Sequence, residues 1–140
     1  MSIYDVFSGG NRPFDKEEWA AAKQAQRKEA YELIDNTCSE MMASGDSFRQ
    51  YLDVQGRFDR YSVNNAILVS AQMPEATQLK EYSKWKANRV YVNKDAQKII
   101  ILEPSKEYTR EDGTKGVSYN AKVVYDISET SAKDRQQEQE

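Results

Sequence analysis

The chain has 140 residues, 39% of them apolar and 31% charged. This is the size and composition of one core-forming domain and not of a disordered tract or a pair of domains. With a net charge of −3, a single cysteine (Cys38) and no histidine, it excludes an internal disulfide, histidine-based zinc hydrolysis and any His-containing triad.

In chain order, the loop formers Ser8-Gly9-Gly10-Asn11-Arg12 before Pro13 mark residues 1–13 as a flexible arm. Asp15 is suited to cap a helix whose first turn carries Glu17 and Glu18; Trp19, Ala22, Ala30, Leu33, Ile34, Cys38 and Met41 then recur mostly at three- and four-residue steps. They predict a long amphipathic helix over 16–43. Ser44-Gly45 ends it, Asp46 caps a second helix, and Phe48, Tyr51, Leu52, Gln55 and Phe58 form that helix's inward stripe to about Arg60. Ser62 caps a third helix over 63–72, with Val63, Ala66, Ile67, Ser70 and Ala71 facing inward, until Pro74 stops it.

Beyond Pro74, Leu79, Tyr82 and Trp85 at three-residue steps predict a short helix over 78–87. The period then becomes two. Val90 with Val92, residues 99–102, and residues 117–127 after the Asp112-Gly113 turn read as three antiparallel strands, the first two joined by 93–97. From Ser128 onward polar residues dominate, which predicts a disordered tail or linker over 128–140. The fold class is therefore α+β: N-terminal helices, one of them long, packed on a small antiparallel sheet of about three strands, with 14–127 as the folded unit. No apolar run reaches the roughly 18 residues of a membrane helix. Met1-Ser2-Ile3-Tyr4-Asp5 lacks the basic and apolar regions of a signal peptide. The expected location is cytoplasmic, with no membrane partner.

Chemistry has little to stand on. Cys38 lies on the apolar stripe of the long helix and reads as a buried structural thiol, while Glu17-Glu18 and Glu111-Asp112 fall at a helix start and in a turn. No P-loop, HExxH, GxSxG or GxGxxG spacing occurs. No catalytic residue, metal site or cofactor is expected, and the chain reads as a binding protein and not an enzyme.

Charge segregation points elsewhere. Residues 61–106 carry 7 basic and 4 acidic side chains, whereas 1–60 carry 8 and 11 and 107–140 carry 5 and 8. In the middle block aromatics and cations interleave: Tyr61, Lys80, Tyr82, Lys84, Trp85, Lys86, Arg89, Tyr91, Lys94, Lys98 and Lys106. Single-stranded nucleic acid is held by this combination, cations tracking phosphates while aromatic faces stack on bases. Trp85 reads first as a core anchor of the short helix. Tyr91, between two inward valines, is the better stacking candidate. Asn64-Asn65 at the start of the third helix are poor helix formers that cannot share one face, so at least one needs a specific polar partner, either buried backbone or nucleic acid.

Tyr61-Ser62-Val63-Asn64-Asn65-Ala66-Ile67-Leu68, then Ala71-Gln72-Met73-Pro74-Glu75-Ala76-Thr77, Trp85, Arg89-Val90, Lys94, Lys98-Ile99-Ile100-Ile101-Leu102 and Pro104, and the later Val124-Tyr125-Asp126-Ile127-Ser128-Glu129-Thr130 together resemble the N-terminal domain of ArdC-type antirestriction proteins. The resemblance covers about 14–130. It implies helices on an antiparallel sheet that bind single-stranded DNA in plasmids and other mobile elements. In longer members this domain precedes a metalloprotease-like domain, so the resemblance implies such a domain as a partner, and this chain, with no histidine, holds no HExxH ligands of its own. The chain departs from the family at Asn88 and Asp95, where glycine is usual, and at Glu129, where glutamine is usual. Asn and Asp tolerate positive φ comparatively well, so the fold is expected to survive these changes, with phosphate contacts weakened by the added acids.

The resulting expectation is a sequence-tolerant single-stranded DNA-binding domain of an antirestriction or mobile-element protein. Its expected site is Asn64, Asn65, Tyr82, Lys84, Trp85, Arg89, Tyr91, Lys94 and Lys98. The alternative is a protein-interaction module, its charged long helix docking on a restriction or conjugation protein without nucleic acid.

Overall fold

Asp15 accepts hydrogen bonds from the backbone N–H groups of Glu17 and Glu18 at 3.0 and 3.1 Å and so starts α1, Lys16–Ala43, as its position before two acidic residues predicts. The computed structural model describes residues 15–132; the arm expected at 1–13 and the last part of the expected tail, 133–140, lie outside the described residues. Ser44 ends α1 and caps α2, Gly45–Arg57, by accepting from Ser47 N–H at 3.4 Å. The cap is therefore Ser44 and not Asp46, which takes a place in the first turn instead. Ser62 caps α3, Val63–Gln72, through Asn65 N–H. After β1, Leu79–Lys80, and α4, Tyr82–Ala87, come the long strands β2, Ile99–Thr109, and β3, Lys115–Asp126, and a turn of 3-10 helix, Ile127–Glu129. The sheet is antiparallel with order β1-β3-β2, so the chain is α+β, with four helices and three strands among the described residues. No helix among them is long and apolar enough to cross a membrane.

Alternation divides the sheet residues between two faces. Ile99, Ile101 and Val124 pack with Val54 of α2, Phe58 just past its end, and Ala66 and Val69 of α3. Val123 and Tyr125 pack with Trp85, Val90, Ile127 and Ala132. A third cluster joins Ala30 and Ile34 of α1 to Ile67 and Leu68 of α3 and to Leu102. Because α3 serves two clusters, it is buried on both flanks and from Ala66 to Ser70 continuously. Val63 and Ala71, expected inward, are exposed instead, since they face away from both.

Strand β2 is an edge of the sheet, and α3 covers it with amide side chains instead of a further strand. Asn65 donates to Leu102 C=O and accepts from Leu102 N–H, both at 2.8 Å. Gln72 does the same to Ile100, at 2.8 and 2.9 Å. Two residues on, Pro104 has no N–H to offer, and the register shifts between Pro104 and Glu107. Amide capping, a proline and a bulge each protect an edge from further pairing.

The third strand is not where periodicity put it. The predicted strand at Val90 and Val92 is only an isolated bridge from Val92 to Thr130, and the predicted helix over 78–87 begins at Tyr82, because Leu79 and Lys80 pair with Asp126 and Tyr125 as β1. The cause lies at Asp126. Its carboxylate is buried, and one oxygen accepts from the N–H groups of Thr77 and Gln78 at 2.9 and 3.0 Å while the other accepts from Ser128 N–H and Oγ at 3.0 and 2.5 Å. These bonds anchor residues 77 and 78 beside the end of β3, where Leu79 and Lys80 pair with Asp126 and Tyr125. Strand β2 also runs to Thr109, well past the 99–102 expected. The packed region continues to Ala132, with Thr130 buried as well, so residues 128–132 belong to the fold and not to the tail. Helix α2 ends at Arg57, short of Arg60. Its Val54 and the capping Phe58 are buried, but Phe48 and Leu52, expected in the inward stripe, stand about half exposed.

Candidate nucleic-acid interface

Helix α4 is short and held by one side chain. Trp85 is 2% exposed, its indole N–H donates to Tyr125 C=O at 2.9 Å, and Lys80 Nζ sits 4.9 Å from its ring. Its place in the expected site is therefore corrected: the ring is a core anchor, closed to a stacking base. Beyond Asn88, Val90 N–H donates to Trp85 C=O at 2.9 Å and Arg89 N–H to Lys86 C=O at 3.0 Å, the paired bonds of a Schellman motif, with Val90 and Trp85 in the same apolar cluster. The motif needs a left-handed residue after the C-cap. That residue is Arg89, at φ 59°, whereas Asn88 has φ −89°. Neither Asn88 nor Asp95, the two sites where glycine was expected to be replaced, has positive φ; among the described non-glycine residues only Arg89 does.

With Trp85 and Val90 turned inward, what remains outside is consistent in charge. Residues 82–94 contain Lys84, Lys86, Arg89 and Lys94 and no acidic residue. All four cations are exposed, as are Tyr82 and, at 66%, Tyr91. Tyr91 points away from Val90 as alternation requires, but it is held by Ser131, through Tyr91 N–H to Ser131 Oγ and Ser131 N–H to Tyr91 C=O, both at 2.9 Å, and not by a sheet ladder. Lys94 and Asp95 ride on a turn closed by Ala96 N–H to Asn93 C=O at 3.1 Å, and Lys98 follows it on the surface.

The two asparagines divide the roles open to them. Asn65 is committed to Leu102 through both ends of its amide, the buried-backbone role, and also borders the cavities described next. Asn64 is exposed and lines a cleft of about 400 Å³ with Tyr31 of α1, Arg60, Tyr61 and Tyr119 of β3. A second cavity, about 350 Å³, shares Tyr61, Asn65, Leu102 and Pro104 with the first and adds Lys80, Glu81, Lys84, Glu103 and Lys122. Lys84 thus joins the α4 surface to the second cavity. Here Lys122 Nζ lies 2.9 Å from Glu81 and 3.2 Å from Glu103. The hydrogen bond from Lys122 holds the Glu81 carboxyl below the usual range against partial burial. Burial pulls the Lys122 ammonium down, but its bonds to Glu81 and Glu103 outweigh this and leave it above the usual lysine value. Burial raises the Tyr61 hydroxyl, with the charge of Lys122 opposing.

Sequence reasoning missed Tyr31, Arg60 and Tyr119 because they come from α1, the α2–α3 connection and β3, and only the tertiary fold brings them to one cleft. Tyr61 stood in the aromatic-cation series, and that was the one available signal. Cys38 is partly buried beside the third cluster. Among the described residues no group of three or more His, Cys, Asp or Glu side chains is placed to hold a metal. Comparison with protein-family models, with curated proteins and with solved structures gives no match.

Proposed function

We propose that the chain is a sequence-tolerant, single-stranded DNA-binding domain, acting in the cytoplasm without catalysis of its own. The observation that carries this reading is the exposed, acid-free run over 82–94, with its four cations and with Tyr82 and Tyr91 outward. Cations contact phosphates whatever the base, and an exposed ring offers a face that every base can stack on. The run stays positive in an acidic chain because potentials fall off within about 8 Å at physiological salt. The resemblance to the ArdC-type N-terminal domain points the same way and adds an antirestriction or mobile-element setting.

Fluorescence anisotropy with a labelled oligonucleotide tests the reading. Affinity should fall with salt at a slope near −0.7 for each phosphate contacted. Tyr91→Ala should weaken binding by about 1–3 kcal/mol and Tyr91→Phe by little, because stacking uses the ring. No binding at low salt, or binding indifferent to salt, refutes it. A second reading, a protein-interaction module, is favoured by the half-exposed Phe48 and Leu52 one turn apart on α2 and would leave oligonucleotide binding absent.

A further inference from the structure

The cleft beside Asn64 has an unusual wall. Three of its side chains are tyrosines, Tyr31, Tyr61 and Tyr119, and Arg60 is the only charged residue among the described residues that line it. Tyr31 and Tyr119 are 40% and 42% exposed, so their rings are accessible from solvent while anchored in α1 and β3, two elements of the rigid fold. A volume of about 400 Å³ lies in the range that holds a small ligand. Phenol rings offer faces to a flat heterocycle, Arg60 offers a guanidinium to a phosphate, and Asn64 offers a donor and an acceptor to a base edge. The absence of a carboxylate from the wall suits an anionic partner. The neighbouring cavity shares Tyr61 with the cleft and is lined by Lys84 of α4, with Glu81 and Glu103 paired there with Lys122, so it adjoins both the α4 surface and the cleft.

We propose that this cleft takes one unpaired base of the bound strand between its tyrosines, with Arg60 on the adjoining phosphate. The inference rests on the single-strand reading above and adds to it a second stacking site, remote in sequence from Tyr91. The test uses the full chain, a labelled oligothymidylate, and a strand of equal length in which every base is missing. Tyr31→Leu and Tyr119→Leu keep apolar volume and remove the flat ring; each should lower affinity for the oligothymidylate by about 5- to 150-fold, the range of one lost base stack, and leave the baseless strand unchanged. Tyr119→Phe should bind as the parent does, and melting temperatures should stay close across the set. Unchanged oligothymidylate affinity in both leucine variants, or equal weakening on both strands, overturns the proposal while leaving the α4 surface standing if Tyr91→Ala still weakens binding. Displacement of the oligonucleotide by an equal concentration of free thymidine monophosphate also overturns it, because the cleft then serves a free nucleotide. A parent chain that binds no oligonucleotide at low salt removes both readings together.

Discussion

Replacing Asn65 by alanine should unlatch α3 from the edge of β2. The substitution removes two hydrogen bonds of 2.8 Å to the backbone of Leu102, a residue only 6% exposed. Each bond contributes about 0.5–1.5 kcal/mol net, and a buried backbone group left unpaired costs about 1–3 kcal/mol. Water entering from the adjoining cleft satisfies part of this, and alanine recovers about 0.5 kcal/mol of helix propensity over asparagine, so the net loss should be about 2–4 kcal/mol. That corresponds to a fall in melting temperature of roughly 10 °C for a domain of this size. Asn64→Ala is the internal control: its side chain is exposed, so it should be neutral or slightly stabilising. Urea denaturation followed by circular dichroism measures both, and amide exchange reports Leu102 N–H directly. If Asn65→Ala lies within 0.5 kcal/mol of the parent, or if Leu102 exchanges no faster, the amide clamp is not what secures this edge.

Three further outcomes follow from the same contacts. Arg89→Gly relieves a left-handed arginine, worth about 1–2 kcal/mol, against about 0.5–1 kcal/mol of glycine chain entropy; thermal melts should show a gain of about 0–1.5 kcal/mol while oligonucleotide binding weakens with a shallower salt slope, and a loss above about 1 kcal/mol contradicts the Schellman reading. The Glu81 carboxyl, lowered from 4.5, contributes stability above that value and loses it as pH falls through the folded value, whereas Lys122, raised from 10.5, contributes below that value and loses it as pH rises through the folded one. The stability difference between the parent and Lys122→Met should therefore be largest between about pH 5 and 10, no more than about 1 kcal/mol given the exposure of Glu81, and a difference independent of pH argues against the ion pair. Asp126→Ala strips the partners from Thr77, Gln78 and Ser128 and should cost at least about 3 kcal/mol, with faster amide exchange at Thr77 and Gln78; a cost under 1 kcal/mol would mean that β1 is held by its strand pairing alone.

Local signals determined most of the helices. Asp15 and Ser62 cap where their side chains reach the next turn's N–H groups, three- and four-residue spacing set the length of α1, and the acid-free run of cations over 82–94 is visible without coordinates. The adjacent asparagines also announced that one of them had a specific partner. What the sequence could not decide was competition for places in the sheet. Leu79–Lys80 has the spacing of a helix and Val90 with Val92 that of a strand, yet the former pairs with β3 beside the Asp126 bonds and the latter makes a single bridge to Thr130. Likewise, Phe48 and Leu52 fit the stripe of α2 by period but lie outside it, since the width of the buried face depends on how α1 and α3 pack beside it. Trp85, readable from the sequence as a core anchor with stacking as the alternative, is turned inward and bonds to Tyr125, 40 residues away. The tyrosine cleft showed only Tyr61 and Asn64 to a reading of the sequence, because its other walls come from α1, the α2–α3 connection and β3. Periodicity reports which side of an element is apolar, and only the packed chain decides what that side meets.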